Sequence, residues 1–94
     1  MPSASSSEFC ANVLKVLADE TRLRVVRALF SGPKHVGEIN QDLGLEQSLL
    51  SYHLRVLREH GVVDAERDGK AVLYRLASSA RSRDGGETID LGCC

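Results

Sequence analysis

EQSLLSYHLRVLREH, residues 46–60, is the stretch that decides the fold of this chain. At helical spacing, Leu50, Leu54 and Leu57 recur at i, i+4 and i+7, which predicts a buried stripe. The other side of the helix carries side chains that can hydrogen-bond, namely Gln47, Ser48, Ser51, Tyr52 and Arg55. Amide, hydroxyl, phenol and guanidinium groups along one ridge suit a DNA major groove, although an ordinary solvated face gives the same pattern. The flanking elements decide between these two interpretations.

Helical signals precede this stretch. Apolar spacing predicts a first helix over residues 8–17, and Asp19 is placed to cap a second helix, which Gly32-Pro33 ends. A third helix is predicted over residues 35–43, with Gly44 at the position of a left-handed cap. Two helices joined by three or four residues that include a glycine are typical of a helix-turn-helix.

A hairpin signal follows it. After Gly61 the apolar period changes from about 3.6 to 2, which predicts strands over residues 63–67 and 71–76. Asp68-Gly69 lies between them and favours a tight turn. Alone, this indicates any hairpin of a small α+β domain. Directly behind a helix-turn-helix it predicts a wing, so the expected fold is α+β, mainly α: a winged helix-turn-helix with a two-stranded β-wing.

Length and charge bound the other possibilities. The chain has 94 residues, enough for one modest core, and we expect a disordered tail over residues 1–7, the winged domain over 8–77 and a polar tail over 78–94. No apolar run is long enough to span a membrane, and residues 1–9 lack the features of a secretory signal, so we expect a cytoplasmic protein without membrane contact.

The charge balance argues only mildly against a nucleic-acid partner. The formal net charge is −1, whereas nucleic-acid binders usually carry a basic footprint. DNA meets only the facing surface, however, and six basic residues fall in the segment that would face it: Lys34, Arg55, Arg58, Arg67, Lys70 and Arg75. Asp64, Glu66 and Asp68 lie among them, so we expect a modest basic patch.

Three segments together resemble the ArsR–SmtB family of bacterial repressors: LADETRLRVVRALF at 17–30, HVGEINQDLGLEQSLLSYHLRVLREHGVV at 35–63 and RDGKAVLYRL at 67–76. The resemblance covers about residues 8–77. It implies a homodimeric winged helix that reads two half-sites of double-stranded operator DNA about one helical turn apart and leaves the operator when a metal or metalloid binds.

The resemblance also implies roles for single residues. Family recognition-helix positions correspond to Gln47, Ser48, Ser51, Tyr52, His53 and Arg55. Gln47 suits adenine, and Arg55 suits guanine or a phosphate. Arg67 and Lys70 in the wing would hold the DNA backbone. His53, which lies beside Leu50 and Leu57, is equally compatible with a packed, hydrogen-bonded position at the edge of the core.

The sensing sites of the family are altered in this chain. Many arsenic-responsive members carry a C-x-C type motif on the first helix of the helix-turn-helix, but residues 35–43 contain no cysteine. Members that sense zinc or nickel use ligands on a long final helix, and no histidine follows His60. The remaining candidates for metal ligands are Cys10, Cys93 and Cys94.

The chemistry of three cysteines points to a thiophilic effector. Three thiolates without a nearby histidine suit a three-coordinate ion such as As(III) or Sb(III), and no organic cofactor is expected. In a reducing cytoplasm we expect thiols rather than structural disulfides. Cys10 also suits the plainer role of a small buried apolar residue, because it shares a helical stripe with Leu14 and Leu17.

Other functions stay open at this point. Within regulators, the alternatives are a thiol redox or sulfur switch, a sensor of methylated trivalent arsenic that needs two thiolates, and a member with no effector. From another class, the domain could be a winged-helix protein-interaction module that never contacts DNA. An enzyme is not expected, because no Ser/His/Asp grouping, carboxylate pair or phosphate loop stands out.

Overall fold

The computed structural model describes the backbone of residues 2–77 and, within it, the side chains of residue 8 and residues 10–77. Its elements are α1 (Pro2–Leu17), α2 (Glu20–Ala28), a 3₁₀ turn (Leu29–Ser31), β1 (Lys34–His35), α3 (Val36–Leu43), α4 (Gln47–Glu59), β2 (Val63–Asp68) and β3 (Ala71–Leu76). The predicted winged helix-turn-helix is confirmed by this order of elements. The tail predicted for residues 78–94, which includes Cys93 and Cys94, lies outside the described residues.

The first helix begins earlier than its apolar pattern indicates. Where the sequence predicts a disordered tail over residues 1–7 and a helix from residue 8, the backbone is helical from Pro2. Proline is tolerated in a first turn because its missing N–H has no intrahelical partner there. The periodic signal therefore marks the packed part of α1, where Val13 and Val16 are buried, and not its N-terminal end.

The second helix is capped as predicted. The Asp19 side chain accepts a hydrogen bond from the backbone N–H of Arg22 at 2.9 Å, which satisfies one of the free donors of the first turn. Val25 and Val26 are fully or almost fully buried, whereas Leu23 is 44% exposed. The buried face of α2 therefore carries these two valines and leaves Leu23 at the surface.

The turn between α3 and α4 is held by side-chain as well as backbone hydrogen bonds. Gly44 has φ 65°, and its N–H donates to the carbonyl of Asn40 at 2.9 Å. The Asn40 amide then bonds Leu45 twice, donating to its carbonyl and accepting from its N–H, both at 2.8 Å. These bonds fix the angle at which the chain enters α4.

The core joins the helices to the base of the wing. The three leucines of the predicted stripe, Leu50, Leu54 and Leu57, are all 0% exposed. They pack in one cluster with residues from α1, α2 and α3 and from β2 and β3, including Val13, Val25, Ile39, Val63 and Leu76. This packing leaves the other side of α4 on the surface.

The wing is a hairpin with one additional strand at its edge. β2 and β3 are antiparallel, and their register runs from Val63 opposite Leu76 to Asp68 opposite Ala71. The loop is therefore Gly69-Lys70, one residue later than the predicted turn, and Gly69 takes the left-handed conformation with φ 65°. β1 pairs with β3 to give the order β1-β3-β2. β1 directly follows Pro33 and has only two residues, which is too short to show the alternation of apolar and polar residues by which a strand is predicted.

None of the helices within residues 2–77 combines the length and the apolar character needed to cross a bilayer.

Candidate nucleic-acid interface

Five side chains form an exposed polar ridge along α4. Gln47, Ser48, Ser51, Tyr52 and Arg55 are all exposed, and together they line one shallow concavity on the surface. We call these five residues the polar ridge. They share one side of the helix because the leucine stripe of α4 is turned into the core.

Two contacts within and beside the polar ridge order its side chains. The guanidinium carbon of Arg55 lies 5.7 Å from the centroid of the Tyr52 ring, a cation–π arrangement that holds both groups close to the helix. The Ser48 hydroxyl donates to the carboxylate of Glu46 at 2.7 Å. Gln47 and Ser51 make no side-chain hydrogen bond with the described residues, so their polar atoms are available to a ligand.

His53 lies in the packed position that the sequence allowed as the alternative to a DNA contact. It is 8% exposed, and its Nδ1 lies 3.1 Å from Nη1 of Arg22 on α2. The Tyr52 ring packs against it edge-on, with ring centroids 5.3 Å apart. His53 is therefore a structural link between helices and not part of the polar ridge.

Two basic side chains are exposed at the end of the wing. Arg67 and Lys70 are both exposed, whereas Arg75 is half-buried and forms an ion pair with Glu66 across the hairpin. Of the wing cations predicted to face DNA, Arg67 and Lys70 are thus the two without an ion pair among the described residues. Because the charge of Arg75 is paired with Glu66, the basic patch has one unpaired cation fewer than the sequence predicts.

His35 connects the wing to the helix-turn-helix. Its Nε2 lies 2.9 Å from Oδ2 of Asp68 at the end of β2, and its Nδ1 lies 3.2 Å from Oε1 of Glu38 in α3. The hydrogen bond to Asp68 raises the pKa of His35 above its ordinary value of 6.5, and the hydrogen bond to Glu38 has a smaller effect in the same direction. The backbone N–H of His35 donates to Glu38 at 2.8 Å and lowers the pKa of that carboxyl.

Sequence reasoning missed this connection. The sequence places His35 at the start of a helix and Asp68 at a turn among the charges of the wing, and it pairs neither with the other. The two residues are 33 positions apart, and no periodic signal relates them.

The candidate effector site is described only in part. Cys10 is 8% exposed on the core side of α1, and it is disulfide-bonded, which differs from the free thiol expected from the sequence. Cys93 and Cys94 lie outside the described residues. Within residues 2–77, no group of three His, Cys, Asp or Glu side chains is arranged to hold a metal ion.

Comparison with known proteins gives a family match over the helix-turn-helix. The family model described as bacterial regulatory protein, arsR family, matches residues 19–65. This range contains α2, α3, α4 and the start of the wing.

Individual relatives extend the match. The chain is 44% identical over 69 residues to the biofilm growth-associated repressor of Xylella fastidiosa, covering 73% of this chain and 60% of that protein. The solved structure of reduced HlyU from Vibrio cholerae has a TM-score of 0.75 at 35% identity, covering 83% of this chain and 82% of the other.

A third relative bears on assembly. It is the homodimeric winged helix-turn-helix DNA-binding domain of Mb0332 from Mycobacterium bovis, described as a possible ArsR-family transcriptional regulator. Its structure has a TM-score of 0.76 at 31% identity, covering 82% of this chain and 71% of the other.

Proposed function

This chain belongs to the ArsR family of bacterial regulatory proteins, and we propose that it acts as a homodimeric repressor of transcription that binds operator DNA in the cytoplasm. The observation that carries the proposal is the polar ridge on α4, which presents hydrogen-bonding side chains on the exposed side of a helix whose other side is locked in the core. A relative named as a repressor supports the same activity. We assign the chain no enzymatic role.

A dimer is supported by apolar side chains left on the surface. Leu14 on α1 is 51% exposed and Leu23 on α2 is 44% exposed. Exposed leucines on two neighbouring helices favour a second protomer, and the similar Mb0332 domain is homodimeric. The dimer would place two α4 helices against half-sites about one helical turn apart.

In this proposal the polar ridge reads bases and the wing holds the backbone. The Gln47 amide has the paired donor and acceptor that adenine presents in the major groove, and the Arg55 guanidinium suits guanine or a phosphate. Arg67 and Lys70 contact phosphates, which positions the protein without specifying sequence.

DNA binding is tested with duplexes that the full chain selects from a random-sequence library. Fluorescence anisotropy should show affinity for a selected duplex that falls linearly on a log–log plot against salt, because bound phosphates release counterions. Absence of salt-dependent duplex binding would contradict the proposal and favour a protein-interaction module.

We further propose that thiol chemistry at Cys10, together with Cys93 and Cys94, releases the operator. One candidate is coordination of As(III) or Sb(III) by the reduced thiolates, which a set of soft ligands without histidine favours. In this candidate mechanism, metalloid coordination connects α1 to the C-terminal residues and changes the spacing of the two α4 helices in the dimer. A coupling free energy of about 1–3 kcal/mol between effector and DNA is enough for regulation.

The disulfide bond at Cys10 favours a second candidate, a redox switch. Two thiols form a disulfide when an oxidant such as hydrogen peroxide accepts the two electrons and two protons that they lose. The similarity to a structure of HlyU determined in its reduced form is compatible with this chemistry.

One set of variants separates the effectors. Reduced protein bound to a selected duplex is titrated with arsenite, antimonite, methylarsenite or hydrogen peroxide. Metalloid sensing predicts release by arsenite in wild type and none in the Cys93→Ser/Cys94→Ser variant, and continued release in that variant would contradict it. Methylarsenite sensing survives Cys10→Ser, because two thiolates remain. A redox switch predicts release by peroxide that dithiothreitol reverses and that Cys10→Ser abolishes.

A further inference from the structure

Two arginines of α2 form a second basic surface that belongs neither to the polar ridge nor to the wing. Arg24 and Arg27 are both exposed and lie three residues apart on one side of the helix. Together with Asp42 and Leu43, the last residues of α3, they line a shallow concavity between the two helices.

The guanidinium groups at this surface keep most of their hydrogen-bonding capacity. Nη2 of Arg24 donates to the backbone carbonyl of Asp42 at 3.1 Å, which anchors the side chain at the end of α3. Arg27 makes no hydrogen bond or ion pair with residues 2–77, and neither arginine is in an ion pair with an acid there. Asp42 is the one acidic residue that lines the same concavity, so the positive charges of the two arginines outnumber its negative charge.

The surface lies next to the point where the chain enters α4. Leu43 is the last residue of α3, and Gln47 is the first residue of α4 and of the polar ridge. Four residue steps span at most about 14 Å. The major groove is about 12 Å wide and is bordered by phosphates, so a helix that inserts at Gln47 brings a phosphate strand near this surface.

We propose that Arg24 and Arg27 clamp the DNA backbone beside the helix-turn-helix, each arginine binding one phosphate. The guanidinium fork matches a phosphate in two-point hydrogen bonding, and the anchor on Asp42 leaves Arg24 less side-chain freedom to lose on binding. The clamp contributes affinity that does not depend on sequence. This inference rests on the proposed DNA binding.

The test compares salt dependence among variants of the full chain, bound to a selected duplex and to a random-sequence duplex. Each phosphate contact that is lost should make the log–log salt slope less steep by about 0.9. Arg27→Gln should therefore make the salt slope less steep and reduce the affinity for both duplexes by the same factor. Arg27→Lys, the matched control, keeps the charge and should keep the slope. Arg24→Gln should act as Arg27→Gln does.

Asp42→Asn should change the affinity for DNA in the opposite direction. Removing the one carboxylate in the concavity should strengthen binding to both duplexes, whereas a purely structural role of these residues predicts no gain. Arg27 has no intramolecular partner among the described residues, so its substitution should leave thermal unfolding unchanged. An unchanged slope in Arg27→Gln, with wild type binding normally, overturns the clamp alone. Absence of salt-dependent binding by wild type overturns the proposed function together with the clamp.

Discussion

Arg22 of α2 and His53 of α4 are joined by a hydrogen bond of 3.1 Å from guanidinium Nη1 to imidazole Nδ1. Nε of the same guanidinium donates to the carbonyl of Val16 in α1 at 2.7 Å. A guanidinium can only donate, so Nδ1 of His53 must be the acceptor. One side chain thus links the helix that carries Cys10 to the helix that carries the polar ridge.

Replacing His53 should destabilise the fold rather than remove a base contact. His53→Ala leaves an Arg22 donor without its partner, and we expect the free energy of unfolding to fall by about 1.5–3 kcal/mol, as for hydrogen bonds to charged groups. A double-mutant cycle with Arg22→Met, followed by chemical denaturation, isolates the pair. The control is Ser51→Ala, at an exposed position of α4 without a side-chain hydrogen bond to the described residues, which should change stability by about 0.5 kcal/mol or less. Unchanged stability with reduced base discrimination in His53→Ala would instead make His53 a DNA contact.

Gln47→Ala should reduce sequence discrimination more than it reduces general affinity for DNA. A good two-point contact with a base contributes about 1–3 kcal/mol of discrimination against the wrong base. The measurement is the ratio of dissociation constants for a selected duplex and for the same duplex changed at single base pairs. The control is Gln41→Ala, which removes an exposed side-chain amide from α3 and should leave that ratio unchanged. If both variants change it equally, Gln47 has no special part in reading the operator.

Stability should depend on pH through the link between His35, Asp68 and Glu38. The pKa of His35 is raised, so its contribution is complete below the ordinary value of 6.5 and is lost as pH rises through the folded-state pKa. The pKa of Glu38 is lowered, so its contribution is present above 4.5 and is lost as pH falls through the folded-state pKa. The link is therefore strongest in mildly acidic solution.

Asp68→Asn measures this dependence. The loss of unfolding free energy relative to wild type should be larger at about pH 5.5 than at about pH 8.5, because His35 is protonated to a greater extent at the lower pH. Asp64→Asn is the control on the same strand, since Asp64 is exposed and makes no ion pair with the described residues. An equal loss at both pH values would show that the charge on His35 does not contribute.

Two glycines of the helix-turn-helix should respond to alanine with opposite signs. Gly44 has φ 65°, so a side chain there is strained even though the space around it is open, and Gly44→Ala should destabilise by about 1–2 kcal/mol. Gly37 lies in the first turn of α3, where an added Cβ meets nothing within 4 Å. Gly37→Ala should stabilise by about 0.4–1 kcal/mol by restricting the unfolded chain. Denaturant midpoints of the two variants and wild type give both signs in one experiment.

Much of the interface was predictable because it rests on local spacing. The leucines of α4 and the polar ridge follow directly from a period of 3.6 residues, and Asp19 and Gly44 take the capping roles that their types favour. The two-residue strand β1 and the position of Gly69-Lys70 in the turn were not predictable in this way, because pairing with β3 sets them.

The sequence by itself determined the winged helix-turn-helix and which face of α4 is exposed, because both depend on interactions between near neighbours in the chain. Only the tertiary structure decided that His53 bonds Arg22, that His35 bonds Asp68, and that Arg24 anchors on the end of α3. The partners in these contacts are 31, 33 and 18 positions apart. No local pattern relates such residues, since packing of the helices against one another and against the wing brings them together.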